Sequence, residues 1–229
     1  MKKGFTLAEI LITLGIIGVV SALTIPTLVK RNTNETHVQQ LKKVYATLSE
    51  AAETALMENN VRDLSDTVLG DKTGNNGPKN FLNEYFKVSI DCSTTPQPCF
   101  ADSYKTMDGE WAGVPPQYVN PRGNCVSLSD GTAMCITAKM PSRSESGWDV
   151  NDDRHTWVQI FIDVNGPKGP NIAGRDLFDL NLYSDGKVGN AYTETPDHID
   201  TQFEGQCQIG YGGGACFPKI VADGWKMDY

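Results

Sequence analysis

The chain has 229 residues, 39% of them hydrophobic before its 22 glycines are counted, a globular share that excludes wholesale disorder. Lys and Arg number 20 against 28 Asp and Glu, a net charge of −8, and the imbalance lies beyond residue 60, where 14 basic side chains face 23 acidic ones. Such an acidic body repels a phosphate backbone, so no direct nucleic-acid contact is expected, whereas its carboxylates suit hard divalent cations.

The first element is an apolar run from Phe5 to Val29, 25 residues with one ionisable side chain, Glu9. As a helix it spans about 37 Å, enough to cross a ~30 Å hydrocarbon core. Lys2 and Lys3 favour a cytoplasmic N-terminus, and Lys30 and Arg31 on the far side oppose that bias. Two ordinary readings are available. A secretory signal would be cut after Val20-Ser21-Ala22, and a plain anchor would stay in the membrane. Either leaves an extracytoplasmic domain that binds a ligand. Neither explains Glu9, since a carboxylate in mid-membrane costs ~2.5 to 3.5 kcal/mol and tends to be functional.

From His37 to Asn59, Val38, Leu41, Val44, Tyr45, Leu48, Ala52, Ala55 and Leu56 recur at helical spacing and predict an amphipathic helix. Pro26 should kink or open the preceding helix or end it, and Asn32-Thr33-Asn34 either break it or mark the exit from the membrane. If residues 5–59 are nearly continuous, the rod is about 80 Å long. Residues 61 to about 120 read as loop-rich, with one short helix at Phe81–Phe86. Further on, Cys125 to Cys135 read as a hairpin turning on Ser129-Asp130-Gly131, which sets Leu128 opposite Thr132 and Cys125 opposite Cys135. Trp157 to Val164 read as a buried strand and Asp176 to Tyr183 as a half-buried one, with Asp185-Gly186 turning the chain after it. The expected class is α+β: a long N-terminal helix packed on an antiparallel sheet.

Cys92, Cys99, Cys125, Cys135, Cys207 and Cys216 fall as three near neighbours with no C-x₂-C spacing. Local disulfides in an oxidising compartment are the better reading, against buried free thiols. Six cysteines allow 15 pairings, and proximity alone favours the sequential one. The tail holds a Gly210–Gly214 cluster and ends on Trp225 and Tyr229, an aromatic pair that either docks on the head or offers a contact surface.

Gly4-Phe5-Thr6-Leu7-Ala8-Glu9, preceded by lysines and followed by about twenty apolar residues with Pro26 near their end, resembles the N-terminal motif of type IV prepilins and type II secretion pseudopilins. The resemblance covers about 30 residues closely. It implies cleavage between Gly4 and Phe5 by a membrane-embedded prepilin peptidase, N-methylation of Phe5, and polymerisation with other pilin or pseudopilin subunits. In that family the glutamate matching Glu9 meets the terminal amine of a neighbouring subunit, and the positions matching Gly18 and Pro26 let the helix loosen or bend. The implied organisation is a leader at 1–4, a transmembrane and assembly helix at 5–29, an amphipathic helix at 30–60 and a disulfide-containing β head at 61–229. The implied setting is the bacterial inner membrane, with its lipid and assembly platform as partners, followed by a periplasmic pseudopilus or a surface pilus. A head of about 169 residues suits a minor subunit.

Enzyme motifs are lacking: there is no G-x-S-x-G, H-E-x-x-H or G-x-x-x-x-G-K-[ST], so no catalysis is expected and no cofactor is required. Calcium is the credible ligand. Asp163, Asn165, Asn171 and Asp176 offer oxygens in and beside a glycine-rich loop, and the resembled family's major pseudopilin binds calcium in a loop after its sheet. The spacing is not that of an EF-hand, and Asn and Asp side chains bonding their own backbone account for the same residues.

Overall fold

A computed structural model describes residues 6–70, 76–113, 123–137, 156–189, 196–208 and 215–229. Gly4 and Phe5, the acidic stretch around Asp149, Asp152 and Asp153, and the Gly210–Gly214 cluster lie outside the described residues.

The first element, α1, is one helix of 52 residues, Leu7–Glu58, about 78 Å long at 1.5 Å per residue. It runs unbroken through Pro26 and through Asn32-Thr33-Asn34, where a break or an end was an open expectation. Burial of Asn34 against the C-terminal tail overrides its weak local propensity. From Asn34 onward one face is buried, through His37, Val38, Leu41, Val44, Leu48, Ala51, Ala52 and Ala55. Before Asn34 none of the described residues of α1 is buried. The head's grip on its stem therefore begins at that asparagine.

After two short 3₁₀ turns, α2 (Gly77–Tyr85) leads into a six-stranded antiparallel sheet. Its strands are β1 (Val88–Ser93), β4 (Asn124–Leu128), β5 (Ala133–Ile136), β6 (Thr156–Asp163), β7 (Leu177–Tyr183) and β8 (Val188–Gly189), hydrogen-bonded in that order. A separate pair, β2 (Tyr104–Lys105) and β3 (Trp111–Gly113), lies between β1 and β4 in sequence. Because strand side chains alternate, each central strand sends one set to the helix and the other away from it. Val126, Met134, Ile136, Ile160, Ile162, Phe178, Leu180 and Leu182 join the α1 stripe in one core. On the opposite face Cys125, Cys135, Phe161 and Leu177 form a second cluster with Cys92, Cys99, Phe100 and Tyr104. The architecture is α+β and pilin-like: a long apolar-ended helix on an antiparallel sheet.

The β4–β5 hairpin has Cys125 paired with Cys135, and the Leu128 N–H donates to the Thr132 carbonyl at 2.8 Å. Gly131 closes the turn at φ +92°, a conformation costly to any residue with a Cβ. All six cysteines are paired, Cys92 with Cys99, Cys125 with Cys135 and Cys207 with Cys216. A loop of this length restricts the unfolded chain by about 3 kcal/mol. Replacing Cys125 and Cys135 together by alanine is expected to lower head stability by about that amount in chemical denaturation. An unchanged midpoint would show that the bond restricts nothing the hairpin does not already hold.

Several elements were not legible in advance. β1 has only Cys92 buried in an otherwise exposed or half-exposed pattern and carries two register shifts against β4, so it lacks a clean alternation. The C-terminal helices α3 (Pro196–Gln202) and α4 (Cys216–Ala222), with a π-helical turn between them at Phe203–Gln208, are too short for a periodic signal. Among the described residues the sheet ends on this irregular β1 and the two-residue β8, edges that discourage addition of a foreign strand.

Candidate functional site

The N-terminal half of α1 opens on a capping box. Thr6 is the N-cap, its backbone extended at φ −81° and ψ 153°, and its hydroxyl accepts the Glu9 N–H at 3.2 Å. In return the Glu9 carboxylate accepts the Thr6 N–H at 2.7 Å and the Thr6 hydroxyl at 2.8 Å. Two of the helix's orphan amide donors are satisfied reciprocally, and a carboxylate inside an apolar run has local donors. This pairing was missed at the sequence level although its signature, T-x-x-E, is present at Thr6–Glu9.

Around the rest of this segment the large side chains point outward on every side. Leu7, Leu11, Ile12, Leu14, Ile16, Ile17, Val19, Leu23 and Leu28 are all at least 60% exposed. A helix apolar all round needs an apolar surround, either lipid or other helices. Among the described residues α1 is the one helix long and apolar enough to cross a membrane. Thr13 and Thr24 return their hydroxyls to the carbonyls of Ile10 and Val20 at 2.9 Å each, so neither needs water. Gly18 has open space where a Cβ would stand, as has Gly15. Nothing within the chain demands glycine there, whereas close approach of a second helix would. Pro26 withholds one N–H inside the helix, a local weakness in a segment that the head does not hold.

At the other end of this segment the head clasps the stem. The Asn34 amide donates to the Met227 carbonyl at 2.9 Å, and His37 Nδ1 lies 3.1 Å from the Arg175 carbonyl oxygen. Trp225 packs on Tyr45 and Phe217, while Tyr229 stacks near Phe203 and donates its hydroxyl to the Gly174 carbonyl at 2.9 Å. Both terminal aromatics thus dock on the head. Sequence reasoning missed Asn34 and His37 as clasp residues, because their partners are more than 130 positions away.

The four loop oxygens are distributed between β6 and β7. Asp163, fully buried at the end of β6, accepts the Tyr104 hydroxyl and the Asn165 N–H. Asp176, also fully buried, accepts the N–H groups of Asn171 and Ile172 at 2.6 and 2.7 Å. Both carboxylates therefore hold the loop through its own backbone. The side-chain carbonyls of Asn165 and Asn171 are buried without a partner among the described residues. No three His, Cys, Asp or Glu side chains come together among the described residues as a metal-binding group.

Burial pushes the Asp163 carboxyl up to about 8, with the nearby Asp176 charge adding to it, and burial raises Asp176 as well. A carboxyl raised in the folded state holds a proton that the unfolded chain, near 3.9, has already lost. Its stabilising contribution is complete below about pH 4 and is lost as pH rises toward 8. Asp179, pushed by burial to about 7, acts in the same direction. Denaturant midpoints are accordingly expected to be lower at pH 8 than at pH 5, and Asp163→Asn to flatten that slope. A midpoint that climbs from pH 5 to pH 8 would show Asp163 to be ionised and well paired.

A pilin-like fold joined to an exposed apolar stem fits a membrane-anchored class of subunit. The family model of the prokaryotic N-terminal methylation motif matches residues 1–25, so the chain carries the type IV prepilin-type signature. The match supports a type IV pilin- or pseudopilin-like subunit that is processed by prepilin peptidase and assembles with other pilin subunits, in a class generally without enzymatic activity. No curated protein and no solved structure matches the chain.

Proposed function

We propose that this chain is a minor structural subunit of a type IV pilus or of a type II secretion pseudopilus. It is made in the bacterial inner membrane with its N-terminus cytoplasmic and its head extracytoplasmic. Cleavage between Gly4 and Phe5 and methylation of Phe5 prepare it, and the assembly platform then draws it into a filament through residues 5–29. The observation that carries this reading is the division of α1. Its signature-bearing half exposes apolar side chains on all sides, and its second half is the spine of the head. On entering the filament Glu9 exchanges its local Thr6 donors for the α-amine of a neighbouring Phe5, a cation that offsets the desolvation of the carboxylate. The bare surface at Gly18 gives a neighbouring helix room to approach.

A photo-crosslinking side chain at Ile16, 60% exposed, tests the reading in native cells. The expected products are adducts with other subunits whose N-termini are methylated. Adducts with lipid alone would favour the anchored ligand-binding domain instead.

Calcium in the β6–β7 loop is a second reading, favoured by the unpartnered carbonyls of Asn165 and Asn171 beside two buried carboxylates. A bound cation would offset the cost of ionising Asp163 and Asp176 together. Calcium is then expected to raise the melting temperature at pH 8 relative to a chelator, and Asp163→Asn to remove the difference. Equal melting temperatures with and without calcium would leave the Asp side chains their backbone role alone.

A further inference from the structure

The head half of α1 buries one face against the sheet and leaves the opposite face uncovered. Glu35, Lys42, Lys43, Ala46, Glu50 and Met57 are all exposed there, within about 50° of one line along the helix. The sign of charge on this face alternates at heptad intervals: an anion at 35, cations at 42 and 43, an anion at 50. Helix residues pair with their own neighbours three or four positions away, so charges seven or eight apart, ~10 to 12 Å along the axis, do not serve each other. At its lower end the face opens into a groove of about 710 Å³ between α1 and the tail residues Trp225, Lys226, Met227 and Asp228.

Such a face is complementary to itself, in one register. Stems anchored in one membrane with their N-termini on the same side are parallel. Two parallel copies at equal height would set Lys42 against Lys42 and Glu50 against Glu50. A displacement of eleven residues brings Lys42 to Glu53 but also to Arg31. A displacement of seven, about 10.5 Å, sets Glu35 of one copy opposite Lys42 of the other and Lys43 opposite Glu50, with no like charges directly opposed. Ala46, small and exposed, then faces Gln39 or Glu53 and lets the two helices come close. The present partners are exchanged at little cost. Arg31 and Glu35 form an exposed pair at 2.9 Å, and Lys43, paired with Asp130 at 2.7 Å, is itself largely exposed and keeps donors to spare. A displaced contact does not close on itself, so each copy offers one set of partners to the copy above and one to the copy below.

We infer that the charge-alternating face of α1 is the contact with a second copy of this chain, parallel and displaced by seven residues, so that even a minor subunit enters the filament in runs of consecutive copies. The inference deepens the filament reading above and rests on it.

The test co-produces two differently tagged full-length chains in native cells, one with Gln39→Cys and the other with Ala46→Cys, and treats sheared filaments with a short bis-maleimide. The product joining position 39 of one chain to position 46 of the other is expected to exceed the product joining two positions 46 about tenfold. Lys42→Glu with Lys43→Glu in both chains is expected to lower the mixed product about tenfold, the scale of a few exposed ion pairs, and adding Glu35→Lys and Glu50→Lys is expected to restore it. Restoration separates an exchange of charge from a misfolded head, which further substitutions would not repair. Filaments that contain both chains without crosslinking them, a dominant 46-to-46 product, or a loss that the added reversals leave in place would each overturn the inference and leave the filament reading standing. Absence of the unsubstituted chain from filaments would instead overturn the filament reading, and this inference with it.

Discussion

Glu9→Ala is expected to abolish incorporation into filaments while leaving the head's melting temperature unchanged. The substituted residue lies some 37 Å along α1 from Asn34, where the head first grips the helix. Losing the carboxylate side of the capping box loosens the first turn, while the Thr6 hydroxyl still accepts the N–H of residue 9, and the head does not sense the change. The larger loss is the only ionisable partner that a neighbour's α-amine could meet between residues 5 and 29. Glu9→Gln separates the two roles. Glutamine at this position still completes a capping box, so a purely local role would be rescued and an ion-pairing role would not. Recovery of the chain in sheared filaments, measured for wild type and both variants, is the readout. Normal recovery of Glu9→Ala would contradict any assembly role for this carboxylate.

Leu48→Ala should have the opposite signature. Leu48 is fully buried in the seam between α1 and the sheet, among Leu41, Val44 and Ala52 on its own helix. Truncating such a side chain removes apolar contact and leaves a cavity that rigid strands fill poorly, at a cost of about 3 kcal/mol. The head is expected to unfold at lower denaturant, while the proposed cleavage after Gly4 and membrane insertion are unaffected, since both proposals rest on the first 30 residues. A stability loss under 1 kcal/mol would mean that the helix and sheet are joined less tightly than the continuous core implies.

Legibility followed the range of the interactions involved. The stripe from Val38 to Leu56 and the Cys125–Cys135 hairpin could be read directly, because helical period, turn chemistry and register are local properties. The strands at 156–163 and 177–183 were legible for the same reason, although the second is buried on both faces rather than half-buried, because the second cluster covers the face away from α1. The clasp was not: Asn34, in a stretch that reads locally as a helix breaker, is held by a carbonyl 193 residues away. Tyr104, which donates to Asp163 from 59 residues upstream, likewise carries no mark of its role in the sequence. The calcium-type oxygens were visible as a composition, whereas their commitment to backbone N–H groups required the fold.

The N-terminal peptide of protein taken from its native membrane, identified by mass spectrometry, bears most directly on the central claim. A chain that begins at N-methylated Phe5 is the predicted result. A chain beginning at Leu23 would show cleavage as an ordinary secretory signal and contradict the filament subunit, and a chain that keeps Met1 would make the apolar helix a plain anchor.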